Sequence, residues 1–398
     1  TDMGMNGARF CISPAPELWY DIADEEGLMV FDEYPIWYAY QPDVGDVSHM
    51  AKDPRKKWGI WPHKITATRL AAEYTQWMQE RWNHASVVVW DAQNETWTPV
   101  TGAAIKRVRK LDLSNRPWDN GWSPPVDAAD IREAHPYFES YVPGTEQQHN
   151  RQIGPRPFSL ANLPSKEKVP ATFYLPYQHA YKQPLNWYWQ QPVIINEYAY
   201  LWLNRDGSAT TLTKAFYDEV LGPGASPAQR RELYAKYLAA VTEYWRSLRT
   251  CIGVLYPFGL GYSLPSGETS DSFTDIENLK LDPYFMKYVP DAFAPTGICI
   301  DFWNEKIVTG PSHRAIDVPL IITNDTGTTL RGVLSLKFTR QNEVITEIQT
   351  HYEVGPSAQS RTILKTDLPS APGKYQLVAG ITGSSKRMVY SYRDIVIE

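Results

Sequence analysis

The sequence lacks several features that would assign a class of protein at once. No stretch approaches the ~20 uninterrupted apolar residues that a membrane span needs, and the first ten residues, TDMGMNGARF, lack the charged and apolar regions of a signal peptide. Lysine and arginine form no polybasic run, and the net charge is -6, which argues against binding to nucleic acid or to an anionic membrane. We therefore expect a soluble protein with neutral partners, in a compartment that the sequence does not define.

Disulfide, metal and phosphate motifs are also missing. The three cysteines, Cys11, Cys251 and Cys299, are too few and too scattered for a disulfide framework or a zinc knuckle. The eight histidines show no spacing typical of metal ligands, and no glycine-rich loop ends in the Lys-Ser/Thr pair of a phosphate-binding loop. The sequence predicts neither a cofactor nor a catalytic metal.

Aromatic residues, in contrast, are abundant. The 398 residues include 15 Trp and 25 Tyr, and flat rings with a polar tip suit the walls of a sugar-binding cleft, although many such rings fill cores instead. A chain of this length can bury a sizeable core and is expected to hold one large and one small domain. A carbohydrate is therefore the first class of ligand to consider.

The first two thirds of the chain alternate apolar strands with helices. Helical spacing and caps predict helices near 15–27, 66–82 and 227–250. Continuous apolar strands separated by helices are typical of a parallel sheet covered on both faces. The predicted strands number seven and span residues 6–13, 28–35, 86–93, 115–119, 134–138, 192–198 and 251–258.

The texture of the chain changes after about residue 270. Short β-rich runs such as EVITEIQTHYEV and GKYQLVAGIT, broken by Asn, Gly and Pro, predict a small antiparallel sandwich of immunoglobulin-like type. We assign residues 1–270 to an α/β domain, 271–309 to a linker and 310–398 to the sandwich. The sandwich contains no cluster of candidate catalytic residues.

Two of the predicted strands end in Asn-Glu. The run VVVWDAQNE ends at Glu95, and VIINE ends at Glu197. Each glutamate alone could be a surface charge or could lie next to a helix cap. In parallel barrels, however, the chemistry lies where strands meet their following loops. Two carboxylates facing one gap at ~5 Å are what glycoside hydrolysis with retention requires. Arg9, at the end of the first strand, could supply the cation that keeps one of them ionised.

Four stretches then reveal a resemblance. NGARFCISPAPELWYDIADEEGLMVFDEYP, RWNHASVVVWDAQNET, NRPWDNGW and PVIINEYAY resemble successive strand segments of the family 2 glycoside hydrolases, which are retaining (β/α)8-barrel enzymes. The resemblance covers residues 4–262 and implies a TIM-type barrel, with strands 2 to 8 in this chain. The most specific element is N-H-x-S-V-x-x-W-x-x-x-N-E.

The resemblance also implies roles for individual residues. It implies that Glu95 is the acid/base, that Asn94 hydrogen-bonds the sugar 2-hydroxyl and that Glu197 is the nucleophile. Arg9 matches the arginine that steadies the nucleophile, and Tyr137 matches a tyrosine that hydrogen-bonds it.

Further candidates for sugar contact follow from position. Tyr256 or Phe258, at the eighth strand, would form the platform under the sugar, unless they belong to the core. Trp118 and Trp122, around the loop after NRP, are candidate subsite walls or core residues. Glu33 could touch sugar hydroxyls or could hold loops together.

The activity implied by the resemblance is that of a retaining exo-β-glycosidase, with β-galactosides first and β-glucuronides or β-mannosides as alternatives. An endo-acting β-glycanase and a catalytically inactive carbohydrate-binding barrel remain open. The first barrel strand and the N-terminal sandwich domains of the family are not found in the sequence. We therefore expect an N-terminal fragment or a separate subunit to supply them.

Overall fold

The structure is a computed structural model, and two of the candidate residues lie outside the part of it that is described. These are Tyr137, proposed as a hydrogen-bond partner of the nucleophile, and Phe258, proposed as a platform under the sugar. The described residues are 3–12, 15–37, 65–96, 98–135, 191–249, 251–256, 261, 263–310, 314–383 and 387–398.

Among the described residues, seven parallel strands form the wall of the first domain, in the order that the sequence predicts. β1 to β4 pair in chain order, β5 to β7 do the same, and a parallel bridge between Asp119 and Ile131 joins the two groups. This sequential parallel order is that of a TIM-type barrel. The strands are β1 Gly7–Phe10, β2 Met29–Glu33, β3 Val87–Asp91, β4 Trp118–Asp119, β5 Arg132–Ala134, β6 Val193–Ile195 and β7 Cys251–Val254.

Helices cover the outer face of this wall, and their ends follow local sequence signals. Thr66 accepts a hydrogen bond from the Arg69 N–H at the start of one helix, and Ser226 forms a capping box with Gln229 at the start of another. Gly27 ends the first helix with φ 68°. The helices are α1 Glu17–Glu26, α2 Ala67–Arg81, α3 Pro99–Val108, α4 Lys214–Leu221, α5 Pro227–Arg246 and α6 Pro283–Phe293.

Side-chain alternation separates the two faces of the strands. Trp90 and Trp118 are register partners on β3 and β4, and both rings pack against Trp77 of α2 in the layer between sheet and helices. The next register pair, Asp91 and Asp119, therefore points to the barrel interior. Trp118 has no exposed surface, so the expectation that it walls a sugar subsite is wrong: its ring belongs to the helix–sheet core.

The interior of the barrel is closed below by an apolar layer. Phe31 of β2, Val89 of β3, Ile131 just before β5 and Ile194 of β6 pack together and are all buried. Such a layer is typical of TIM-type barrels, whose interiors are filled rather than open. Residues two positions further along the strands point into the same interior, one layer closer to the strand ends.

The second domain begins earlier than the sequence suggests. Residues 271–309, which the sequence predicts to be a linker, contain helix α6, a β-hairpin and two strands of the sandwich. The core of the sandwich already includes Ile298 and Ile300, because the run TGICI is long and apolar enough to form a buried strand. The additional strands are the hairpin β8 Phe273–Asp275 and β9 Lys280–Leu281, then β10 Thr296–Ile300, β11 Lys306–Ile307, β12 Ala315–Asn324, β13 Leu330–Arg340, β14 Glu343–Val354, β15 Ala358–Asp367, β16 Gly373–Thr382 and β17 Met388–Ile397.

Two sheets build this sandwich around one core. One has the order β10-β12-β15 and is antiparallel, whereas the other has the order β11-β17-β16-β13-β14, with only the short β11 parallel to its neighbour. Alternate residues of both sheets point inward and bury aliphatic side chains against each other. The sandwich is thus a separate unit with its own hydrophobic core.

Barrel and sandwich meet along α5 and α6. Arg393 of β17 donates to Glu243 of α5 at 2.8 Å, and the Ser391 hydroxyl donates to the same carboxylate at 2.7 Å. Burial raises the pKa of Glu243 to about 7, although Arg393 acts against this. Asp291 of α6 forms a second ion pair with Arg387 at 2.6 Å. Within the described ranges, no helix is both long and apolar enough to cross a membrane.

Candidate active site

The two glutamates that end predicted strands converge. Glu95 lies four residues beyond β3 and Glu197 two residues beyond β6, and both are buried, with exposed fractions of 6% and 8%. A carboxylate oxygen of Glu95 and one of Glu197 lie within 4.8 Å of each other. Residues 102 positions apart along the chain therefore face a single gap at the end of the barrel, as the spacing of the strands predicts.

The guanidinium of Arg9, on β1, lies at the floor of this gap among several polar side chains. It donates to Glu197 at 2.8 Å, to Asp91 at 2.7 Å, to Asn94 at 3.0 Å and to Glu133 at 3.3 Å. Burial lowers the pKa of the arginine, but the neighbouring carboxylates outweigh it and raise that pKa well above its ordinary value. A buried cation thus lies in ion-pair contact with Glu197, at the position that the sequence analysis proposes for this arginine.

A histidine that sequence reasoning missed lies between the two glutamates. His135, directly after β5, is hydrogen-bonded through Nδ1 to Glu95 at 3.0 Å and through Nε2 to Glu133 at 3.2 Å. Nδ1 also lies 3.6 Å from a carboxylate oxygen of Glu197. Burial lowers the pKa of His135, but Glu197 and Glu133 outweigh it and hold that pKa well above its ordinary value. The imidazole is therefore a second cation of the site.

Two aromatic side chains also hydrogen-bond the carboxylates of Glu95 and Glu197. The Trp37 indole N–H donates to Glu95 at 3.2 Å, and the Tyr200 hydroxyl is hydrogen-bonded to Glu197. Burial, with the nearby Glu197 charge, raises the pKa of Tyr200 well above its ordinary value, so its hydroxyl remains a donor. Tyr200 thus makes a contact of the kind that the resemblance implies for Tyr137, which lies outside the described residues. The signal that could have found it is its place three residues after Glu197.

A layer of carboxylates lies beneath the pair. Glu33, Asp91 and Glu133 follow the apolar residues Phe31, Val89 and Ile131 by two positions and therefore line the same interior. All three carboxylates are buried, and Glu33 contacts Arg9 at 3.3 Å. Burial raises the pKa of Asp91 to about 7, and raises that of Glu33 well above its ordinary value. Glu33 thus holds Arg9 in place, so the structural alternative applies to it and not sugar contact.

The remaining aromatic candidates divide. Trp122 is nearly buried, and the centre of its ring lies 5.9 Å from the centre of the His135 ring, edge to face, beside the gap. Tyr256 instead belongs to the core: its ring packs against Tyr198, and its hydroxyl is hydrogen-bonded to Tyr234. The core alternative therefore holds for Tyr256. Trp122 remains a candidate subsite residue.

The sequence of the barrel matches a known protein family. A family model described as "Glycosyl hydrolases family 2, TIM barrel domain" matches residues 1–224, which is more than half of the chain. The fold and the paired carboxylates define a (β/α) barrel with a polar site at its strand ends. The chain belongs to glycosyl hydrolase family 2.

Individual relatives are more distant and much longer. A protein of Formosa agariphila described as "Putative beta-glucuronidase" is 32% identical over 112 residues, which are 28% of this chain and 9% of that protein. The crystal structure of the exo-chitosanase CsxA of Amycolatopsis orientalis has a TM-score of 0.56 at 14% identity, covering 99% of this chain and 45% of that one. At this identity the likeness concerns the fold alone. The chain spans less than half the length of both relatives.

Proposed function

We propose that this chain carries the active site of a retaining exo-β-glycosidase. The observation that supports it best is the distance of at most 4.8 Å between carboxylate oxygens of Glu95 and Glu197. Retaining enzymes separate their carboxyl groups by ~5 Å, whereas inverting enzymes leave ~6.5–9.5 Å for a water molecule. The Arg9 contact also gives the proposed nucleophile a cationic partner at 2.8 Å.

The proposed reaction has two steps. Glu197 attacks the anomeric carbon while protonated Glu95 gives its proton to the glycosidic oxygen, so that the aglycone leaves and a glycosyl ester forms on Glu197. Glu95, now ionised, takes a proton from water, which attacks the same carbon and releases the sugar. Asn94 accepts a hydrogen bond from Arg9 through its Oδ1, which leaves its amide N–H₂ to donate to the sugar 2-hydroxyl.

For the sugar, the proposal keeps the order β-galactoside, β-glucuronide, β-mannoside. The F. agariphila relative supports inclusion of a glucuronide among the substrates tested. Exo action is the proposed mode. The long aromatic stretch 139–191 bears on it, and all of that stretch except Gln191 lies outside the described residues.

The proposal extends to the surroundings of the site. Among the described strands, β1 pairs with β2 alone and β7 with β6 alone. A strand supplied by an N-terminal fragment or subunit would join these two edges and close the barrel. The two packed antiparallel sheets of the second domain favour the immunoglobulin-like type, proposed here as a module that supports the barrel through α5 and α6.

The test is a screen of aryl β-glycosides with the chain alone and with its N-terminal counterpart, followed by Glu197→Gln. A neutral amide cannot attack the anomeric carbon, so turnover should fall by several orders of magnitude while sugar affinity is kept. Glu219→Gln, an exposed residue of α4, is the matched control and should leave turnover unchanged. Equal turnover of Glu197→Gln and the unmodified protein would remove Glu197 from the mechanism, and sugar binding without any turnover would favour a binding barrel.

A further inference from the structure

A groove lies between the barrel helices and the sandwich. Its volume is about 580 Å³, within the range of ~300–1,000 Å³ that is typical of small-ligand sites. One wall comes from α4, α5 and α6, and the other comes from residues 302–305, the β13–β14 hairpin, β16 and β17. No described residue of strands β1 to β7 lines the groove. It is therefore separate from the gap between the two glutamates.

Aromatic side chains of this groove are held in fixed positions. Tyr288 of α6 and Tyr392 of β17 pack edge to face where the two walls meet, with their ring centres 5.1 Å apart. The Arg393 guanidinium lies 4.2 Å from the centre of the Trp303 ring and donates to Glu243 at 2.8 Å. Tyr392 and Trp303 line the groove and are only half-buried, so part of each ring stays accessible. Flat rings in a preformed wall suit the apolar faces of a sugar.

Basic side chains lie at the rim on both walls. Lys287 of α6, Arg340 of β13 and Lys374 of β16 line the groove, are exposed, and form no ion pair with a carboxylate of the described residues. The Lys287 ammonium lies 4.8 Å from the centre of the Tyr288 ring, and the Arg340 guanidinium lies 5.5 Å from that of Tyr375. These contacts orient two of the three cations against the aromatic wall.

The acidic side chains of the lining are fewer. Glu232 and Asp394 both pair with Lys236, at 3.1 Å and 2.9 Å, and the second pair joins α5 to β17. With Glu305 they make three acidic side chains against five basic ones, in a chain whose net charge is -6. Even with the buried Glu243 included, basic side chains remain in excess. The groove therefore favours an anionic ligand.

The turn between β13 and β14 adds polar groups to the same rim. Gln341 and Asn342 have φ of 52° and 68°, as in a tight two-residue hairpin turn, and both are exposed and line the groove. Their amides can both donate and accept hydrogen bonds, as sugar hydroxyls require of a partner. The groove thus fits a molecule that has apolar faces, hydroxyl groups and negative charge together.

We propose that this groove binds an acidic oligosaccharide, whose anionic groups are carboxylates or sulfate esters, at a site separate from the proposed catalytic pair. The aromatic rings pack against the sugar faces, and Lys287, Arg340 and Lys374 pair with the anionic groups. A neutral oligosaccharide lacks the second interaction, and a simple anion lacks the first. Binding in the groove does not depend on whether the chain hydrolyses a glycoside.

The test is isothermal titration without an activity assay, with the chain alone and with its N-terminal counterpart. The ligands are tetragalacturonate, a sulfated galactan tetrasaccharide, neutral cellotetraose and sodium sulfate. One acidic tetrasaccharide per chain should bind, more weakly as the salt concentration rises, and the tighter of the two identifies the anionic group. The proposal is overturned if neither acidic tetrasaccharide binds, or if cellotetraose or sulfate binds equally well. Binding that disappears when the counterpart is added would make the groove a domain contact and overturn the proposal too.

The double variant Lys287→Ala/Lys374→Ala tests the location. It should weaken binding of the acidic tetrasaccharide by about tenfold, because two exposed ion pairs are lost. Lys280→Ala/Lys365→Ala is the matched control, since it removes the same charge from exposed positions outside the lining. All four lysines are exposed, so both variants should fold as the unmodified chain does. Equal affinity of the two variants would place the ligand elsewhere, for instance at the barrel mouth, and would refute the proposal.

Discussion

Replacement of His135 by glutamine tests the electrostatics of the proposed active site most directly. The imidazole contacts Glu95, Glu133 and Glu197, and its raised pKa keeps it positively charged. Glutamine retains hydrogen-bonding capacity at this position but carries no charge. Glu197 then loses one of its two neighbouring cations and keeps Arg9, whereas Glu95 loses the cation at 3.0 Å, so both limbs of the pH profile respond.

The magnitude follows from the distance between His135 Nδ1 and the Glu197 carboxylate oxygen. At 3.6 Å and an effective dielectric constant of about 20, the attraction between two unit charges is roughly 5 kcal/mol. Even if solvent and Arg9 reduced this to a third, the acidic limb of the kcat/KM profile would move upward by about one pH unit, since each pH unit corresponds to ~1.4 kcal/mol.

The assay is kcat/KM for an aryl β-glycoside between pH 4 and pH 9, in the preparation that the screen shows to be active. His84→Gln is the matched control, because His84 bridges Asp24 and Glu17 away from the gap and should leave the profile in place. A lower kcat with an unmoved acidic limb would mean that His135 acts through packing alone, and it would refute the electrostatic reasoning.

Two further predictions concern stability and substrate contact. Burial raises the pKa of Asp32 from 3.8 to about 6, so its contribution to the free energy of unfolding, ~3 kcal/mol, is present below pH 3.8 and lost as pH rises through 6. Asp32→Asn should flatten the pH dependence of stability in urea unfolding between pH 4 and pH 7, and equal slopes for both proteins would contradict this. Trp118→Ala should lower the free energy of unfolding by ~3–5 kcal/mol with KM unchanged, because its ring fills the core. Trp122→Ala should chiefly raise KM. Urea unfolding and steady-state kinetics measure both effects. A raised KM in Trp118→Ala, with a loss of stability in Trp122→Ala instead, would restore Trp118 as a subsite wall.

The limits of sequence reasoning show best at the strand ends. Glu95 and Glu197 could be found because each directly follows an apolar run, and the order of strands in a parallel barrel brings such residues to one edge. His135 was missed because the strand was placed at 134–138, whereas β5 is Arg132–Ala134. With the strand predicted two residues too late, His135 reads as an ordinary strand residue, whereas in the structure it is the first residue after the strand end.

Aromatic residues show a second limit. Trp118 and Trp122 both lie close to the loop after Arg116, and the sequence around them does not distinguish them. In the structure, Trp118 packs on Trp77, whereas Trp122 lies beside His135. The face on which a side chain lies depends on strand register, and a two-residue strand such as β4 is too short to show its alternation in the sequence.

The sequence alone determined the order of strands and helices, the two carboxylates at the strand ends and the change to an antiparallel sandwich, because these depend on local periodicity and on which residues end a strand. Only the tertiary structure decided which charges meet. Arg9, His135 and the carboxylates of the interior layer come from five different strands or their ends, and their ionisation depends on burial and distances that no local pattern encodes.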